Sequence, residues 1–465
     1  MAAHFTQQNG ETHTYMQQEI PHCLKSNSSA QCVKTRNKIL QVSSTSQSQS
    51  SGGVILFNLP PSNYSISKGS MFLRCTVTVT GTALGANNAG TASPNNAVGF
   101  QGPGVLTQAV PQTKTDGLKT AWGAPELGSG YSWLQRVTLY GSSSSVIEQQ
   151  NYLNDYMNLM LLHNSSLAYL ENDAQLQIGL GAYFNYASPA AITNTSASYD
   201  LCLPVPLSVF QSNINYPLYL NSTPLTLQID LASTARAIFA GSAATVTNYT
   251  VSNTFLVFQA VEVPPSLIEA ERQAVKSSPF IMNVVNSMAV QVPQSILSSY
   301  TLGLNCSSLR AAFIMPTGAA AYASGTQLAY TRTTTDAGAA PFYFSGSGQN
   351  AILFVDGNNV NAAIYDTVQM VFSGLKQAMH HNVQQNVLHP SPGGLVNFGQ
   401  QCYVIGWDCS SFDDEGSLFP GIPCTNLNFQ ITGIDSAAAN YLATIIVLYD
   451  TLVAFTADGS QEVKR

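Results

Sequence analysis

The chain carries one large unit twice, and the second copy is the shorter. Leu225-Thr226-Leu227-Gln228-Ile229-Asp230 matches Leu427-Asn428-Phe429-Gln430-Ile431-Thr432 at a separation of 202 residues, which also pairs Ser208 with Ser410 and Phe210 with Phe412. Upstream, Leu73-Arg74 and the run to Thr80-Gly81 match Leu309-Arg310 and the run to Thr317-Gly318, about 236 apart. Leu153, Asp155, Met157 and Leu159 match Ile364, Asp366, Val368 and Met370, 211 apart, and Thr254–Val257 matches Thr444–Val447, 190 apart. Chance matches have no reason to keep order, whereas a duplicated fold with trimmed loops produces a separation that only falls.

Each copy reads as a series of short strands. Phe72 to Thr80 sets Val77 and Val79 against Thr76, Thr78 and Thr80, the period of a half-buried strand. Prolines 204, 206, 217 and 224 stand at strand starts and edges, where a missing N–H costs least. The near-continuous apolar runs Phe255–Val263 and Thr444–Phe455 predict a closing strand buried on both faces in each copy. Leu153, Met157, Met160 and Leu161 fall on one helical face, and a counterpart helix is expected near Ala362–Phe372.

Four divisions follow. Residues 1–50, rich in Gln, Ser, Asn and Thr, are expected to be a flexible N-terminal arm. Residues 51–265 form the first unit, with an insertion at 83–130; 266–277 form a helical connector; 278–465 form the second unit, with an insertion at 317–349. Both insertions are rich in Gly, Ala and Thr and lie at one equivalent point, as expected of surface projections. The fold class is all-β: two fused eight-stranded jelly rolls with long loop insertions and short helices, which fits this spacing better than an immunoglobulin sandwich does.

Charged residues make up only 9% of the chain, against roughly 25% in ordinary domains. A surface of Ser, Thr, Asn, Gln, Gly and Ala loses little when covered by another copy. With a net charge of −7 and 17 cations spread along the chain, the folded body should not grip nucleic acid. Lys25, Lys34, Arg36 and Lys38 make a mild basic cluster in the arm. The eight cysteines form no CxxC pair; we expect buried free thiols, Cys75 and Cys202 among them, with Cys23 and Cys32 in a polar setting. Met1–Gln8 shows no cationic or apolar leader pattern, so no signal peptide is expected, and Asn-x-Ser/Thr sequons such as Asn221-Ser222-Thr223 read as compositional. The longest apolar candidate for a membrane span, Leu442–Phe455, is interrupted by Thr444, Asp450 and Thr451.

No phosphate-binding, dinucleotide, zinc-protease or nucleophile-elbow motif occurs. His4, His13 and His22 are too widely spaced for ligands, and His163 stands alone. His380, His381 and His389, with Asp408, form at best a loose constellation for a metal. Asp413-Asp414-Glu415 is the densest acidic run and reads as a solvated loop in preference to a Ca²⁺ site or a hydrolase centre. We assign no catalytic, cofactor-binding or metal-ligating residue and expect no enzyme.

Two fused jelly rolls, each with a long insertion, resemble the double jelly-roll major capsid proteins of tailless icosahedral double-stranded DNA viruses: the adenovirus hexon, tectivirus capsids and capsids of large eukaryotic DNA viruses. Leu203-Pro204-Val205-Pro206-Leu207 to Pro224–Ile229 is similar to that family's Pro-Leu-bearing strands. Trp133 to Glu148, a strand, a turn at Gly141 and a return strand ahead of a helix, is similar too. The resemblance, over about residues 40–456, implies a structural homotrimer whose six barrels make a pseudo-hexagonal capsomer, with insertions outward and termini inward. It implies a place in the virion, assembly in host cytoplasm or nucleus, and as partners neighbouring capsomers, minor capsid or penton proteins, and an internal membrane or genome met through the arm. A host receptor is implied without naming its contacts. The alternative is a two-domain β-sandwich carbohydrate-binding or adhesin protein, against which stand the three tryptophans and the expected lack of a leader.

Overall fold

The computed structural model describes residues 3–6, 12–15, 36–84, 98–101, 128–164, 174–179, 195–211, 214–240, 244–317, 350–360, 365–379, 404–410, 420–432 and 442–464. The chain opens with a hairpin of β1 (Ala3–Thr6) and β2 (Thr12–Tyr15). The first body contains β3 (Arg36–Ser43), β4 (Ser48–Ser50), β5 (Val54–Leu59), β6 (Tyr64–Ile66), β7 (Phe72–Thr82), β8 (Val98–Phe100), β9 (Leu134–Tyr140) and β10 (Val146–Asn151). It continues through helix α1 (Leu153–Asn164), β11 (Ser196–Pro204), β12 (Leu225–Leu231), β13 (Ile238–Ala240) and β14 (Thr245–Glu262). Two sheets result, ordered β10-β9-β12-β5 and β11-β7-β14-β3. Taken over these eight strands, the chain passes from one sheet to the other at every step except the β9–β10 hairpin, which is jelly-roll topology; β4 and β6 also pair with β14, and β8 pairs with β13.

Helix α2 (Pro265–Ser277) leads to the second body. There follow β15 (Phe280–Pro293), β16 (Tyr300–Thr317), β17 (Asn350–Val355), β18 (Asn358–Asn359), helix α3 (Val368–Ala378), β19 (Ile405–Asp408), β20 (Ile422–Thr432), β21 (Leu442–Phe455) and β22 (Gln461–Lys464). The first half of β16 pairs with β20 and its second half with β21 and β19. Splitting β16 at its bend gives the orders β18-β17-β20-β16 and β19-β16-β21-β15, which repeat the first body strand for strand. What copy one builds as β5, a loop and β7, copy two builds as one strand that changes sheets. Register shifts between Gly303 and Cys306, Cys306 and Leu309, and Leu309 and Ala311 mark the corner, where bulges let a strand bend from sheet to sheet.

Alternation fixes which side faces in. Along β12, Leu225, Leu227, Ile229 and Leu231 are buried, and along β20 the matched Leu427, Phe429 and Ile431 are buried. On β7, Leu73, Cys75, Val77 and Val79 enter the core, leaving Thr76 and Thr78 to bond Asp200 and Ser198 of β11 at 2.6 and 2.9 Å. The first core is centred on Phe57, Phe100, Trp133 and Tyr249, the second on Phe313, Trp407 and Phe429, with Tyr365 stacked on Trp407 at 5.9 Å. The β17–β18 hairpin turns on Asp356 (φ 48°) and Gly357 (φ 84°), and an Asp-Gly pair suits this doubly left-handed turn. The Asp356 carboxylate also accepts from the backbone N–H of Thr425 and Asn426.

Some expectations change. Residues 36–50, placed in the arm from sequence, supply β3 and β4 to the first body, with β3 paired along its length to β14. Lys38 of the basic cluster forms an ion pair with Glu262 at 3.2 Å. Part of the first insertion also returns, since β8 pairs with β13. The second insertion beyond Thr317 lies outside the described residues until Asn350. The Phe255–Val263 run is not buried on both faces: Phe255, Val257, Gln259 and Glu262 face away from the core. Cys75 is buried, but Cys202 is exposed, because alternation along β11 turns Leu201 and Leu203 inward. The second helix starts at Val368, not near Ala362.

Candidate functional site: the seam between the jelly rolls

The two bodies are joined by a buried seam with an apolar part and a polar part. The apolar part is an invasion of one core by the other body. Phe280, Met282 and Val284 of β15 and Val453 and Phe455 of β21 belong to the first hydrophobic core. The Phe455 ring meets Tyr216 at 5.6 Å and Phe280 at 5.5 Å, and Tyr216 meets Phe210 at 5.7 Å. This explains the continuous burial along β21: Ala443–Val447 serve the second core, and the far end of the same strand serves the first. In return, Tyr156 on α1 of the first body reaches Phe313 at 6.4 Å.

The polar part runs between β10 and β15. The Asn286 side chain accepts from the Gln149 N–H at 2.8 Å and donates to Ile147 O at 3.2 Å and to Thr451 Oγ1 at 3.0 Å. Ser208 Oγ both accepts from the Val285 N–H at 2.8 Å and donates to Val285 O at 3.2 Å. Gln150 donates to the same carbonyl at 3.2 Å. Glu148, fully buried, sits behind these groups. Its carboxylate accepts from the N–H groups of Ser208 at 2.7 Å and Val209 at 2.9 Å and from Gln150 Nε2 at 3.0 Å. Burial nevertheless pushes its pKa from 4.5 up to about 7, the donors offsetting only part of the desolvation.

Two further ties close the seam. The C-terminal strand docks through Gln461, whose N–H donates to Ser142 Oγ at 3.1 Å, whose side-chain oxygen accepts from the Ser142 N–H at 2.8 Å, and whose Nε2 donates to Asn221 at 2.6 Å. Asp155 of α1 pairs with Arg236 at 2.6 Å, with side chains 6% and 14% exposed, and Thr444 of β21 donates to the same carboxylate at 3.5 Å. A seam of paired, buried polar groups fixes orientation as well as proximity, because each bond is lost at full desolvation cost if the bodies rotate. One chain is thereby built to hold two jelly rolls at a set angle.

The residues weighed for chemistry from sequence do not join this seam. Asp408 accepts locally from the Ser410 N–H at 2.9 Å. His380, His381, His389, Asp413, Asp414 and Glu415 lie outside the described residues, as do Cys23, Cys32 and Cys402. Among the described residues no three His, Cys, Asp or Glu side chains are grouped to hold a metal. Sequence reading missed Glu148, Asn286 and Gln461; the one signal for Glu148 is a carboxylate within the strand Val146–Asn151 of a chain so sparing of charge.

No family model and no curated protein matches the chain. Solved structures do. A chain of the PBCV-1 virus capsid is similar over 94% of this chain and 98% of its own length, at 10% identity and TM-score 0.51. PBCV-1 VP54, as fitted into a reconstruction of the virophage Sputnik, is similar over the same shares at 12% identity and TM-score 0.52. The Faustovirus major capsid protein is similar over 92% of this chain and 91% of its own, at 9% identity and TM-score 0.51. The chain is a double jelly roll. The likeness takes in both jelly rolls together, so the double jelly roll is shared as one architecture and not as two separate sandwiches.

Proposed function

We propose that this chain is the major capsid protein of an icosahedral double-stranded DNA virus, a structural subunit with no catalytic step. The observation that carries the reading is the coverage: the likeness to capsid proteins runs through more than nine-tenths of this chain and of theirs. In this reading three copies associate, and their six barrels form a pseudo-hexagonal capsomer that tiles the shell. The seam supports it physically, because a tile must present its two barrels at a constant angle to every neighbour. The sparse charge supports it too, since a polar, weakly charged surface is cheap to bury against a second copy. Association then rests mainly on buried area and tolerates moderate salt. In this reading the residues before Arg36 reach neighbouring copies, an internal membrane or the genome, and minor capsid or penton proteins are further partners of the capsomer. Light scattering on the purified chain tests this: a mass of three subunits that persists on dilution and in high salt is expected, and a monomer at every concentration overturns it.

A further inference from the structure

We propose that Cys306 and Cys424 are a site of covalent modification, closing to a cross-strand disulfide that staples the second jelly roll at its corner. The two residues stand directly opposite one another in the antiparallel ladder of β16 and β20. Opposed residues in such a ladder have Cα atoms about 4.5–5.5 Å apart, inside the roughly 4.4–6.8 Å span a disulfide accepts. Both side chains point into the second core, 5% and 2% exposed, and both are free thiols. They already interact: a hydrogen bond between the two sulfurs holds the Cys306 pKa below its usual value and drives that of Cys424 up. The exchange runs the same way from either sulfur, with Cys306 taken as the first to attack.

The neighbourhood selects this pair over the other buried thiol nearby. Cys409, directly after β19, bonds through its N–H to Arg310 O at 2.8 Å, so it stands opposite neither Cys306 nor Cys424, which are each other's partners in the β16–β20 pairing. The register shifts that flank Cys306 on both sides interrupt the ladder, so exposing the pair requires opening a bulge and not a continuous sheet. A small-molecule disulfide such as oxidised glutathione completes the balance. The Cys306 thiolate attacks one of its sulfurs, the oxidant's S–S bond breaks, and one glutathione thiolate leaves with the proton Cys306 gave up. The Cys424 thiolate then attacks the Cys306 sulfur, the protein disulfide forms, and the second glutathione leaves and takes the Cys424 proton. Two cysteines are oxidised and one glutathione disulfide is reduced to two thiols.

The test incubates the full chain with excess oxidised glutathione to completion, blocks remaining thiols under denaturant, and maps peptides by mass without reductant. A linked Cys306–Cys424 peptide pair, with neither residue recovered as a blocked thiol, and a thermal midpoint several degrees higher that reverts with reductant are expected. The Cys202→Ser variant, which removes the exposed thiol, should form the same Cys306–Cys424 link and show the same shift in midpoint. Recovery of Cys306 and Cys424 as blocked free thiols, as glutathione adducts, or linked to Cys409 overturns the proposal.

Discussion

Glu148 gives the sharpest test of the seam. Its carboxyl is fully buried, and burial raises its folded pKa from 4.5 to about 7. A group whose pKa rises on folding binds its proton more tightly in the folded state. Its contribution to stability is then fully present below about pH 4.5 and is lost as pH climbs through about 7. At about 1.36 kcal/mol per unit, the swing is ~3 kcal/mol between the two ends. The Glu148→Gln variant keeps the shape and removes the titration. The measurement is urea unfolding from pH 4 to 9 at one fixed protein concentration, since assembly would otherwise shift the midpoint. The stability difference between variant and wild type should move toward the variant by ~3 kcal/mol as pH rises across that window. Its absolute value at low pH depends on how the amide meets the Ser208 and Val209 N–H groups. A difference that stays flat with pH would show that Glu148 does not titrate in the folded chain, and the account of its burial would be wrong.

Phe455→Ala should cost about 3–5 kcal/mol, because the ring is fully buried against Tyr216 and Phe280; urea unfolding followed by fluorescence and by circular dichroism should show both jelly rolls weakened together. In the second jelly roll, Asp450 is fully buried and accepts from Arg310 Nε at 2.7 Å and Ser308 Oγ at 2.5 Å. Arg310→Met leaves that carboxylate without its cation and should destabilise by about 3–5 kcal/mol, and adding Asp450→Leu should recover most of the loss, as read by denaturant midpoints of the single and double variants.

The strands were more legible than the way they join. Alternation in Phe72–Thr80 and the matched runs Leu225–Asp230 and Leu427–Thr432 gave inward faces that hold residue for residue, because a period of two admits only two choices. The repeat was read in the right order but not in full register. The ladder sets Leu73 opposite Leu256, Phe313 opposite Ile446 and Leu309 opposite Tyr449, so the match of Leu73 to Leu309 and that of Leu256 to Ile446 do not hold in one register. Bulges at the corner of β16 absorb residues without changing composition, and a sequence comparison cannot see them. The start of the first jelly roll was missed for a different reason: β3 is an edge strand whose residues are largely exposed, so Arg36–Ser43 has the polar look of an arm. The seam was illegible because its members are ordinary in sequence. Asn286, Gln461 and Glu148 become functional only through partners more than fifty residues away.

The proposed function requires a rigid double jelly roll that assembles as a capsid tile. Single-particle imaging of the purified assembly tests it most directly. The account predicts threefold particles with a pseudo-hexagonal outline, six barrels each, and one constant angle between the two barrels of every chain. Particles holding two barrels alone, or barrels at a variable angle within one chain, would contradict it.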